Sequence, residues 1–183
     1  MRRRLPAAVV GLAAVLMTGC SMTAGGAGGG GGAGQNQADV EFSTMMIPHH
    51  RQSVVVSALA LKRSQDEFVR HMATEITEKE NAEIGRMSDW LRSWNVAVPV
   101  AGDHMSHAMP GMLSAAELQS LDESSGAAFD KTWTALLAKH LGHGVDMAKT
   151  VLSQGSHPET KELAQQIVTD QSAEITQLKS RLP

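Results

Sequence analysis

Apolar positions between residues 39 and 183 recur at intervals of three and four, the spacing that turns one face of a helix inward. Phe42, Met45, Met46, His49, Ser53, Val56 and Ala60 share such a face on a predicted first helix. A turn follows at Ser64-Gln65-Asp66, where the Asp66 carboxylate is placed to cap the next helix. That second helix sets Val69, Met72, Ile76, Glu80, Glu83, Met87 and Trp94 on one side. Residues 95–113 are irregular, and Ser114-Ala115-Ala116-Glu117 reads as a capping box opening a short helix to about Asp122. The pattern then starts again. Residues 130–183 align with 39–94 without a gap at a constant offset of 91, pairing Asp39 with Asp130, Phe42 with Trp133, His49 with His140 and Glu83 with Glu174. A register kept through both halves means one unit written twice. The second turn, Gln154-Gly155-Ser156-His157-Pro158, combines a glycine stop with proline at the next helix start. Two helical hairpins with apolar inner faces predict an all-α, four-helix bundle.

Composition agrees with helices. Three Phe, three Trp and no Tyr leave the core to aliphatic residues and eleven Met, a mixture that suits packed helices better than sheets. Ahead of the repeats, Arg2–Arg4 and the short apolar run Leu5 to Thr18 predict a signal peptide over residues 1–19. Met17-Thr18-Gly19-Cys20 resembles a bacterial lipobox, which makes the single cysteine, Cys20, the expected lipidation site. The protein is then anchored to the extracytoplasmic side of a cell membrane, with no thiol left for a disulfide or a thiolate metal site. Residues 20–38, with Gly28 to Gly32 unbroken, predict a flexible tether. The bundle domain spans 39–183: repeat 1 at 39–94, a linker with the short helix at 95–129, and repeat 2 at 130–183. Without Arg2–Arg4 the chain keeps 13 basic against 19 acidic side chains, so no nucleic-acid partner is expected.

Asp39-Val40-Glu41-Phe42, Met45-Met46-Ile47-Pro48-His49-His50, the helix with Ala73, Ile76, Glu83, Ile84 and Met87, and Met109-Pro110-Gly111-Met112-Leu113-Ser114 together resemble the domain of unknown function 305 family. The resemblance runs from Asp39 to Leu182. It implies a ferritin-like helical bundle, often exported, with copper binding or copper resistance in some members.

Four groups of residues carry candidate chemistry. In Met45, Met46, His49 and His50, members three and four residues apart meet on one helical surface, and thioether with imidazole favours copper. The same residues also suit a packed core with a hydrogen-bonded histidine. Pro48 between them removes a backbone donor and is expected to kink the helix. The second copy replaces Met45, Met46 and His50 by Leu136, Leu137 and Leu141, keeps His140 and adds His143, which with Met147 forms a second candidate set. Glu80, Glu83 and Glu174 lie on inner faces, where a carboxylate needs a partner, and His49 and His140 are the expected ones. The linker His104, Met105, His107, Met109 and Met112 resembles the Met/His-rich tracts of extracytoplasmic copper proteins, or tucks its Met side chains into the bundle end. His71 and His157 look exposed at helix ends. No nucleophile motif, phosphate loop, zinc-protease helix or paired Glu-x-x-His of a di-iron site is present, so no enzyme is expected. A tethered protein that buffers or hands over copper is the reading these residues favour. A metal-free envelope module that docks a protein partner is the rival, and a ferritin-like redox enzyme the weaker one.

Overall fold

The computed structural model describes residues 34–100 and 111–183. The signal peptide, Cys20, the glycine run, and His104, Met105, His107 and Met109 lie outside the described residues. Five helices form: α1 (Gln37–Arg63), α2 (Glu67–Ser93), α3 (Ala115–Glu123), α4 (Gly126–Gln154) and α5 (Pro158–Ser180). Among the described residues there is no strand, and no helix is long and apolar enough to cross a membrane.

The helix ends follow local chemistry. Asp66 caps α2 by accepting from the Val69 amide, and Ser114 with Glu117 forms the expected capping box on α3. Asn36 and Asp39 make a second capping box, so α1 starts two residues before the predicted boundary. α2 stops where Asn95 adopts a left-handed φ of 56° and the Val96 amide reaches back to the Leu91 carbonyl. α1 continues as one helix through Pro48. One expectation needs correction. Gly155 ends α4 in an extended conformation with φ −73°, not the left-handed one that usually selects glycine. Glycine is needed there for space, because a Cβ would lie 2.5 Å from Asp39 Oδ1.

The four long helices pair as α1 with α2 and α4 with α5, and the two hairpins meet along α1 and α4. Their interior holds two apolar clusters. One contains Val56, Met72, Ile76, Leu121, Phe129, Trp133 and Leu141; the other contains Phe42, Met46, Ile47, Met87, Leu91, Val151 and Ile167. The buried Trp133 indole donates to the Val56 carbonyl at 3.1 Å, which ties α4 to α1 without leaving a polar atom stranded. Polar residues lie between the two clusters on three helices, His49, His50 and Ser53 on α1, Glu80 and Glu83 on α2, Gln171 and Glu174 on α5, and His140 of α4 joins them by stacking on His49. An aliphatic core is thus cut across its middle by a buried polar layer, and the repeat relation places that layer at the junction of the two copies.

Candidate functional site

At the centre of the layer His49 stacks on its repeat counterpart His140, with ring centroids 3.7 Å apart and planes 7° from parallel. His140 is held by backbone on both sides, Nδ1 lying 3.1 Å from the Gly111 carbonyl and Nε2 3.1 Å from the His49 carbonyl. Only an imidazolium could donate through both nitrogens, yet burial pushes its pKa down to about 4. We take the ring as neutral at pH 7, donating once, since two carbonyls do not offset the loss of hydration. His49 is buried, and among the described residues neither of its ring nitrogens has a partner. Burial first, then the neighbouring His140 and His50, holds its pKa well below the ordinary value.

His50 turns the other way. Its ring lies 6.1 Å from that of His49 at an angle of 56°, and it faces the acids of α2. Nε2 stands 2.7 Å from Glu83 Oε2, and Nδ1 3.7 Å from Glu80 Oε1. The N–H directions do not align with these contacts, so the attraction is ionic more than a well-formed hydrogen bond. Burial opposes a charge on His50, but Glu80 and Glu83 prevail and its pKa is raised. Glu80 also accepts from Ser53 Oγ and from Gln171 Nε2 at 3.3 Å, and burial still raises its carboxyl to about 7. On the second copy, Glu174 pairs with Lys79 at 2.8 Å. The two ends of that bridge respond differently: contact with Glu174 raises Lys79, while burial outweighs Lys79 and raises Glu174. Burial governs the carboxylate, which is nearly enclosed, whereas the lysine is half exposed.

Several sequence expectations change here. Glu83 partners His50 rather than His49, and Glu174 partners Lys79 rather than His140, while His49 and His140 stack on each other between α1 and α4. Met45, Met46, His49 and His50 do not converge. Met46 is core filler, His49 sits in the seam, His50 faces α2, and Met45 is partly exposed on the outside of the seam. Of His140, His143 and Met147, the two histidines both lie against Gly111, His140 buried and His143 exposed, while Met147 lines a cavity that neither of them lines. His157 is not exposed. It caps α5 through Nδ1 and sits edge-on to Trp90 and Trp94 at 5.5 and 5.1 Å. His71 is exposed, as expected, beside Glu75. Among the described residues no group of three or more His, Cys, Asp or Glu is arranged to hold a metal ion.

Sequence reasoning named Ser53, Glu80 and His50 but missed how they connect, and it missed Arg51 and Gln52. Ser53, Glu80 and His50 in the first copy become Gly144, Gln171 and Leu141 in the second, three coordinated differences that signal one network. Gly144 gives room: a Cβ there would lie 2.6 Å from Gln171 Oε1 and 3.2 Å from His49 Cε1. Arg51 and Gln52, next in α1 after the histidine pair, grip the linker. Arg51 Nη1 donates to the Pro99 carbonyl at 2.5 Å, and the Gln52 amide makes paired bonds with the Leu113 backbone at 2.7 and 3.2 Å. Met112, at the same end, is buried.

The layer sets a pH optimum for stability. His49 and His140 are neutral when folded but protonate near 6.5 when unfolded, so stability falls as pH drops below 6.5 toward about 4. Glu80, raised to about 7, binds its proton more tightly in the folded state, and His50 does the same above 6.5. Both therefore lose stability as pH rises through neutrality. Below 6.5 the loss from the two imidazoles runs against the gain from the raised carboxyls of Glu80 and Glu174, and the two fully buried rings are the larger contribution. Urea unfolding of the metal-free protein at a series of pH values should give a maximum near 6.5. A stability that climbs steadily from pH 5 to 9 would contradict this assignment.

Comparison with known proteins places this geometry. None of the curated proteins matches the chain. A DUF305 protein from Streptomyces coelicolor, described as secreted, has the same fold at 30% identity, covering 77% of this chain and 88% of its own, with a TM-score of 0.69. A DUF305 fragment from Deinococcus radiodurans aligns at 28% identity over 79% of this chain and 95% of its own, with a TM-score of 0.69. CopM, in its Cu(II)-bound form, aligns at 27% identity over 78% of this chain and 93% of its own, with a TM-score of 0.65. The model of the domain of unknown function DUF305 matches residues 39–182, from the Asp39 cap through the last turn of α5 to Leu182, and the chain belongs to that family.

Proposed function

We propose that this chain is a membrane-anchored, extracytoplasmic binding protein for copper that buffers the ion or hands it on, and that it is not an enzyme. The observation that carries the reading is the grip of Arg51 and Gln52 on the two ends of the linker. Consecutive α1 residues hold Pro99 and Leu113, so the segment bearing His104, Met105, His107 and Met109 starts and ends beside the turn that carries His49 and His50. Thioether and neutral imidazole are the donors that select Cu(I) over harder ions. The likeness to CopM, solved with Cu(I) and with Cu(II), supports the same cargo. Anchoring rests on the lipobox-like sequence at Cys20, and an extracytoplasmic place is supported by the relative described as secreted.

Within this reading the linker residues are the first ligands to meet the ion, and His49, with two nitrogens unpartnered among the described residues, is the buried imidazole open to ligation when the seam opens. Glu80, Glu83 and Glu174 stabilise the layer behind it. Titration of the purified chain with Cu(I) under reducing conditions, against a chromophoric competitor, should show saturable binding at about micromolar or tighter affinity. Replacing His104, Met105, His107 and Met109 together by Ser should remove most of it. Absence of saturable Cu(I) binding by the unaltered chain would leave the metal-free docking module in its place.

A further inference from the structure

We propose that Met45 of α1 and Met147 of α4 form a separate surface site for a soft monovalent d10 cation, Cu(I) or Ag(I), outside the linker; the inference rests on the copper-binding reading above. Of the methionines among the described residues, Met46, Met72, Met87 and Met112 are buried, and only Met45 and Met147 keep partial exposure. Both line one cavity of about 190 Å³ on the α1–α4 seam, together with Glu41, Phe42, Val151 and Gln154. They come from different copies and from sets that the sequence alone keeps apart.

The repeat supplies an internal control. At the offset of 91, Met45 corresponds to Leu136 and Met147 to Val56. That second pair belongs to the apolar cluster that also holds Leu113, Leu118 and Leu121, with Val56 buried and Leu136 partly buried. At that end both positions are aliphatic; at the end with the cavity both are partly exposed thioethers. Packing alone does not call for this, because leucine and valine fill an apolar groove as well as methionine does. Ligation does. A thioether needs no deprotonation, is poorly hydrated, and binds soft ions through sulfur, while walls such as Phe42 and Val151 disfavour hard, strongly hydrated divalent ions. Glu41, one turn before Met45 on the same α1 surface, supplies the single negative charge that a monovalent ion needs.

The test uses the full-length chain labelled with ¹³C at the methionine methyl groups and titrated with Ag(I), which cannot change oxidation state under these conditions. Met45→Leu and Met147→Val, which copy the aliphatic end, assign the two signals and should leave the melting temperature unchanged. The expected result is that both methyl signals shift together and saturate, and that either substitution weakens this site by about tenfold or more while the linker signals still respond. Linker methyl groups that shift while those of Met45 and Met147 stay still would overturn the surface site and leave the copper reading intact. If no methionine signal moves at saturating Ag(I), both fall. A response of the two signals to a small apolar solute but not to Ag(I) would make the cavity a hydrophobic pocket and also overturn the proposal.

Discussion

Replacing His50 by leucine is expected to destabilise the bundle by about 3–5 kcal/mol at pH 8, the usual consequence of removing one member of a buried ionic pair. His50 is fully enclosed and faces Glu80 and Glu83 at 3.7 and 2.7 Å. Without it, Glu80 keeps only Ser53 and the long bond from Gln171, in a place where burial already raises its carboxyl to about 7. The abandoned carboxylate can escape by taking a proton, so the penalty should shrink toward pH 5, where that proton comes readily. The second copy shows how to reduce the penalty. It holds Leu141, Gln171 and Gly144 where the first holds His50, Glu80 and Ser53. The triple variant with H50L, E80Q and S53G transfers that set and should regain part of the lost stability. The fully buried Glu80 charge is removed with its partner, while Glu83, nearer the surface, stays unpaired. Urea unfolding of the three proteins at pH 5 and pH 8 measures both effects. A single variant as stable as the parent at pH 8 would show that the ion pair contributes nothing.

The contrast between the copies also explains how much was legible in the sequence. Helical periodicity, the Asp66 cap, the Ser114 capping box and the repeat register all report on interactions within a few residues or on a strict offset, and each agrees with the structure. The four-helix architecture follows from them. Partner choice inside the bundle does not. Whether Glu83 meets His49 or His50 depends on which side of α1 faces α2, a rotation of about 100° per residue that a one-residue step reverses. Lys79 reaches Glu174 across helices separated by 95 positions, and nothing local announces it. The grouping of Met45 with His49 failed for a related reason: spacing of four places both on one surface, but a helix in a seam presents that surface partly inward and partly outward.

Removing the Asp39 side chain should cost about 3 kcal/mol and loosen the end of the bundle that carries the open cavity. This carboxylate is buried and acts as the clasp between the copies. Its Oδ2 accepts from the Asn36 amide at 2.8 Å, from the Ser156 amide and the His157 amide at 3.0 Å each, and from Ser156 Oγ at 3.2 Å. Alanine at this position strands two amides of the α4–α5 turn, each costing about 1–3 kcal/mol when buried without a partner, and removes half of the α1 capping box. Asp39→Asn keeps an acceptor oxygen and should cost clearly less. The turn offers an independent route to the same contact, since alanine at Gly155 would drive a Cβ to 2.5 Å from Asp39 Oδ1. If both substitutions act through the clasp, the double variant Asp39→Ala/Gly155→Ala should be less destabilised than the sum of the singles, by the coupling expected for residues in contact. Asn36 also donates to the Gln154 carbonyl, and Ala38 and Gln154 line the cavity that holds Met45 and Met147. Hydrogen exchange in Asp39→Ala should therefore quicken at the start of α1 and the end of α4 while the Trp133 end stays protected. Protection lost equally at both ends would mean that the clasp secures the whole bundle rather than this mouth of the seam.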